Sequence, residues 1–109
     1  MKFIMAIVQD EDAIQLIDKL SEHRFMVTKM ASTGGFLRTG NTTLICGVED
    51  DRVDELIGLV EKTCKSRKQI TSVNASHMST ADNYVPYPVE VAVGGATIFV
   101  LDVADFRRV

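Results

Sequence analysis

An α+β sandwich, one antiparallel sheet with two helices on a single face, is the fold this sequence predicts, as one domain over residues 1–109. Three observations predict it. Apolar strand-like runs alternate with amphipathic helix-like runs in the order β-α-β-β-α-β. The two helical patterns are copies of each other at an offset of 40 residues. The first and last strands are apolar on both faces, so both faces of a sheet need cover.

The first strand is "KFIMAIVQ", residues 2–9, where Phe3, Met5 and Ile7 alternate with Ile4, Ala6 and Val8. A helix follows, with Ala13, Leu16, Ile17 and Leu20 on one face and Asp10 or Asp12 expected as its N-terminal cap. "RFMVTKMAS" is a second strand and "TTLICGVE" a third. The second helix carries Val53, Leu56, Ile57 and Val60, with Asp50 or Asp51 as the expected cap. Val8 and Asp10 recur as Val48 and Asp50 at the same offset. Residues 63–88 read as a long polar loop ending in "YVPYP". "VEVAVGG" and "ATIFVLDV" read as one final strand, broken or bulged at Gly94-Gly95. With right-handed crossovers this order gives the ferredoxin-like sandwich. Two helices cover only one sheet face, and the sequence offers no third. A second copy of the chain is the economical cover, so a homo-oligomer is expected.

Composition narrows the function. Hydrophobic residues make up 46% of the chain, enough for a folded core. The formal net charge of −3 opposes general binding to duplex nucleic acid or to an anionic membrane. The opening apolar run ends at Val8, short for a signal peptide, and no run reaches the ~18 apolar residues of a spanning helix. A cytoplasmic protein is expected. Cys46 and Cys64 have neither metal nor redox spacing and read as buried hydrophobes. His23 and His77 stand apart from other ligand-type residues. No serine sits in a nucleophile elbow and neither cysteine has an evident base, so nothing marks an enzyme, a cofactor or a metal.

The segment "GGFLRTGNTT", Gly34 to Thr43, has the glycine spacing of a phosphate-binding P-loop. Asn41 stands where such a loop has lysine, and a β-branched strand follows where a helix must supply its N–H groups. The segment reads instead as a glycine-rich connection, and its apolar Phe36-Leu37 tip suggests a ligand or partner surface. Lys29, Arg38, Arg107 and Arg108 would add cations if they met near it, which suits a ligand with phosphates and a base. Scattered solubilising charge is the equal alternative.

In "TGGFLRTGNTTLICGVEDDRVDE" and "YVPYPVEVAVGGATIFV", with "AIVQDED" and "VTK", the chain resembles the PII-like cyclic-di-AMP receptor proteins of Gram-positive bacteria. The resemblance spans essentially the whole chain. It implies ferredoxin-like subunits in a homotrimer, with ligand held in clefts between neighbours and an unidentified downstream protein partner. By the same resemblance, Thr28 contacts a phosphate, and Gly35, Phe36 and Leu37 wrap the adenine. Asn41 and Gly47 give polar and backbone contacts, and Phe99 forms an apolar wall. The family usually reads Asn-Phe-Arg where this chain has Arg24-Phe25-Met26, and Met-Gly-Gly in the long loop where it has His77-Met78-Ser79. Its usual His-Gln-Phe ending is here Arg107-Arg108-Val109. Arg24, Met26 and Arg108 thus join the candidate ligand-binding residues at positions where the chain departs from the family. The other reading is a diverged paralogue that keeps the trimer and takes another anion or only a protein.

Overall fold

A computed structural model describes residues 1–31, 40–72 and 88–109. The elements run β1 (Lys2–Gln9), α1 (Asp10–Glu22), β2 (Thr28–Ala31), β3 (Asn41–Val48), a 3-10 turn (Asp50–Arg52), α2 (Val53–Cys64), β4 (Arg67–Ser72), β5 (Pro88–Val93) and β6 (Ala96–Asp102). β1, β2, β3 and β6 form one sheet in the order β2-β3-β1-β6, each neighbouring pair antiparallel. With α1 and α2 this is the ferredoxin-like fold.

Both helices pack on one face of that sheet. Ile4, Ala6 and Val8 of β1 and Leu44, Cys46 and Val48 of β3 are buried beneath Ala13, Leu16 and Leu20 of α1 and Leu56, Val60 and Cys64 of α2. The repeat is real in space: Leu16 and Leu56, offset by 40, are both fully buried, as are Leu20 and Val60. Strand alternation sends the other residues to the opposite face. There Phe3, Met5 and Ile7 lie beside Gly47, Ile45 and Thr43 on one side and Leu101, Phe99 and Thr97 on the other. Leu101 and Phe99 are exposed. The apolar second face expected from β1 is present.

Four expectations are corrected. Residues 24–27 are not strand. Arg24 is left-handed (φ 63°), its N–H donates to Ser21 O at 3.0 Å, and the Phe25 N–H donates to Leu20 O at 2.9 Å. These two bonds close α1 in the manner of a Schellman turn and bury Phe25 in the core beside Leu20. β2 starts only at Thr28.

The segment from residue 63 is not wholly loop. α2 continues to Cys64, and β4 pairs with β5 as a separate two-stranded hairpin, Arg67 opposite Val93 through Ser72 opposite Pro88. "VEVAVGG" and "ATIFVLDV" are therefore not one bulged strand: β5 belongs to the hairpin and β6 to the main sheet. Gly94 and Gly95, at φ +81° and +89°, form the corner between them.

The acids at the helix starts do not cap. The N-cap positions are Gln9 for α1, Glu49 for the 3-10 turn and Arg52 for α2, and none of the three makes a side-chain cap bond among the described residues. Asp10, Glu11 and Asp12 do occupy the first turn of α1, where the helix dipole favours acids. The carboxylates of Asp10 and Asp12 serve tertiary partners instead.

Candidate functional site

The strand register places the predicted ligand residues. Thr28 lies opposite Ile45, Ile45 opposite Met5, and Met5 opposite Phe99. Residues directly opposite in a sheet point to the same side. Thr28 and Phe99 therefore sit in one row across all four strands, on the face the helices leave bare. Gly47, opposite Phe3, is two residues along β3 from Ile45 on the same face, and Asn41, opposite Gln9, is four residues the other way. Four residues predicted from three different strands thus share one surface.

They do not all meet. β2 and β6 are the two edges of the sheet. At ~4.8 Å per strand, Thr28 and Phe99 stand about 14 Å apart. Phe99 is 39% exposed and Met26 is 81% exposed, just before β2. Arg24 sits in the turn that ends α1, so the two-residue spacing from Met26 confers no shared strand face. Arg108 lies beyond Asp102, the last residue of β6, and is exposed. Gly35, Phe36, Leu37, Arg38, His77, Met78 and Ser79 lie outside the described residues.

Of the four cations considered together, Arg38 lies outside the described residues. Lys29 is opposite Leu44, in the register of the helix-covered side, whereas its neighbour Thr28 faces the other way. Arg107 pairs with Asp105 at 3.0 Å. His23 is exposed, with its Nδ1 3.3 Å from Glu55 Oε2. Cys46 and Cys64 are buried free thiols, each with its pKa raised by burial. No group of three or more metal-ligating side chains occurs among the described residues. No described helix is long and apolar enough to cross a membrane.

Asn41 opens onto a cleft of about 530 Å³ lined by Ile7, Gln9, Asn41, Gly94, Gly95, Ala96 and Thr97. Its floor is the end of β1, with β3 on one side and the β5–β6 corner on the other. Its polar frame is well bonded. The Gly94 N–H donates to Gln9 Oε1 at 2.8 Å, and the Asp10 N–H donates to Gly40 O at 2.8 Å. Thr42 Oγ1 donates to Asp10 Oδ1 at 2.6 Å. Arg67 at the root of the hairpin holds Asp12 through Nη2–Oδ1 at 2.9 Å and Nη1–Oδ2 at 3.4 Å.

Gln9, Gly94 and Thr97 were not among the predicted site residues. A signal for Gln9 exists: it is the one amide in β1, closing the apolar run from Phe3 to Val8. In sequence Gly94-Gly95 looks like a break in a strand; in space it forms a wall of the cleft.

A family described as cyclic-di-AMP receptor matches residues 1–109, the whole chain. In three dimensions the chain is similar to the crystal structure of a functionally unknown protein from Pediococcus pentosaceus ATCC 25745. That likeness has 37% sequence identity and a TM-score of 0.78, and covers 99% of this chain and 96% of that one.

Proposed function

The chain belongs to the cyclic-di-AMP receptor family, and on that premise we propose that it is a cytoplasmic PII-like signalling protein that binds cyclic di-AMP between the subunits of a homotrimer. It acts by binding rather than by turnover. One observation carries the intersubunit part. Thr28, the phosphate contact, and Phe99, the apolar wall, share a sheet face but occupy opposite edges. About 14 Å separates them, too far to close together on one adenylate unit. A neighbour placing its β6 edge beside the β2 edge of the first chain would bring one residue of each type into a single cleft.

The uncovered apolar face supports the same arrangement. Phe3, Met5, Ile45, Phe99 and Leu101 form a continuous surface that a second and third copy would remove from water. Asn41 and Gly47 complete the polar contacts. Gly35, Phe36 and Leu37, whose roles rest on the family resemblance, close over the adenine. Ligand then shifts the loops toward an ordered state and presents a changed surface to a downstream protein.

A second reading has one specific feature in its favour. Position 26 carries an uncharged methionine, 81% exposed, where the family has arginine. A paralogue that keeps the trimer but takes another anionic ligand, or only a protein, would tolerate that loss.

Calorimetry with cyclic di-AMP, alongside sedimentation to fix the assembly, tests both readings. The expected result is a trimer that binds one nucleotide per cleft, with Met26→Arg tightening the affinity and Phe99→Ala weakening it. An intact trimer that gives no heat at high protein concentration would sink the ligand and leave the paralogue.

A further inference from the structure

The acidic run at the end of β1 has no capping task, yet two of its three carboxylates are held by specific distant partners. We propose that Asp10 is a positioning residue for ligand binding. Its N–H and its carboxylate grip Gly40 and Thr42, the residues on either side of Asn41. This inference rests on the reading of Asn41 as a ligand contact.

The geometry is a bracket. The backbone bond from Asp10 to Gly40 fixes the residue before Asn41, and Gly40 itself is left-handed at φ +90°. The bond from Thr42 fixes the residue after it. Thr42 is buried and opposite Val8, so its hydroxyl points toward the helix side. Asn41, between two residues held from that side, is presented to the cleft on the bare face. The other wall is held from the same corner of the chain. Gln9 holds Gly94, and Asp12 holds Arg67. Three residues within four positions, Gln9, Asp10 and Asp12, thereby set the separation of Asn41 from Gly94. A ligand entering the cleft meets walls whose spacing is already fixed, and it loses less ordering entropy on binding.

Thr42→Val tests the claim with little change of shape. It deletes the hydroxyl donor, keeps the volume, and leaves the backbone bond from Asp10 to Gly40 in place. Asp10→Ala and the double variant complete a cycle. Ile17→Val, a partly buried core change away from the cleft, supplies a stability control. In calorimetry with cyclic di-AMP, Thr42→Val is expected to bind about tenfold more weakly, the scale set by one charge-assisted hydrogen bond. Its unfolding midpoint should fall no further than that of Ile17→Val. The double variant should lose little beyond Asp10→Ala, because both changes delete the same bond.

Unchanged affinity in Thr42→Val would overturn the proposal, as would a loss that merely tracks the midpoint across all four variants. Amide hydrogen exchange of the ligand-free protein decides separately from the nucleotide. Faster exchange at Asn41 in Thr42→Val supports the bracket, and identical exchange overturns it. Wild-type protein that takes up no cyclic di-AMP would remove the functional reading, while the exchange result would still decide whether Asp10 holds Asn41 in place.

Discussion

Arg67, at the root of a hairpin, forms a two-bond fork with Asp12, a carboxylate 55 residues earlier that is only 3% exposed. The Arg67 side chain is about half open to solvent and the carboxylate is buried. The bonds to Asp12 raise the Arg67 pKa above its ordinary value and keep it charged. The hairpin meets the sandwich through this fork, through Gln9 on Gly94, and through the Gly95 N–H on Cys64 O.

Asymmetry of burial predicts an asymmetry of mutation. Arg67→Met leaves Asp12 buried without its cation and should lower the unfolding midpoint and speed exchange in β4 and β5. Adding Asp12→Leu to it should recover stability, because an apolar pair needs no compensation. Thermal unfolding of the two variants checks this. A double variant less stable than Arg67→Met would contradict it.

The two corner glycines should differ in their response to alanine. A Cβ on Gly94 would lie 2.6 Å from the Lys65 carbonyl oxygen and 2.5 Å from Arg67 Nη1, whereas one on Gly95 has nothing nearer than Ser66 Cβ at 3.9 Å. Both positions have positive φ, so each alanine costs about 1–2 kcal/mol in backbone strain. Gly94→Ala adds a clash with backbone and should be clearly the more destabilising of the two in denaturant titrations.

Arg24 occupies the left-handed slot that closes α1, where glycine or asparagine is more comfortable. Arg24→Gly should stabilise the fold by about 1 kcal/mol, since it removes the Cβ strain. If Arg24 also contacts ligand, the same variant binds cyclic di-AMP more weakly while melting higher. Opposite signs in the two measurements would separate a contact from a scaffold residue. The family asparagine at this position suits the same backbone geometry.

Burial, and secondarily the negative charge of Asp12, pushes the Cys64 thiol from 9.0 up to about 11. A pKa raised in the folded state means the native protein keeps its proton while the unfolded chain loses it. The linked stability is fully present below pH 9 and is lost as pH rises through about 11. Midpoints measured from pH 8 to pH 11 should fall more steeply for wild type than for Cys64→Ala. Thiol-specific reagents at pH 8 should label Cys64 only after denaturant is added.

Where burial imposes a period, the amino-acid order carried the structure by itself. The two helices, their matching apolar faces at Leu16, Leu20, Leu56 and Val60, and the doubly apolar β1 were all legible. Each of those segments packs against something, so its side chains alternate accordingly. The need for cover on the second sheet face followed from the same pattern. The strand register puts four of the residues expected to contact ligand, Thr28, Asn41, Gly47 and Phe99, on one face.

What stayed hidden depended on distant partners or on exposed surface. β4, "RKQITS", has no apolar alternation because its hairpin stands apart from the sandwich; Ile70 and Val91 are both exposed. Without a buried face there is no period to read. The start of β2 is hidden because "RFMV" has strand-like side chains, while tertiary burial of Phe25 beside Leu20 places it in the turn that closes α1. Asp10 and Asp12 look like caps at any helix start. Only the approach of Thr42, 32 residues away, and Arg67, 55 residues away, gives their carboxylates stronger partners than the helix's own N–H groups. Local pattern sets which segments are helix or strand, because it reflects nearest-neighbour geometry and burial. The assignment of each polar side chain to its partner is decided by which segments the fold brings within about 3 Å, and no local pattern encodes that.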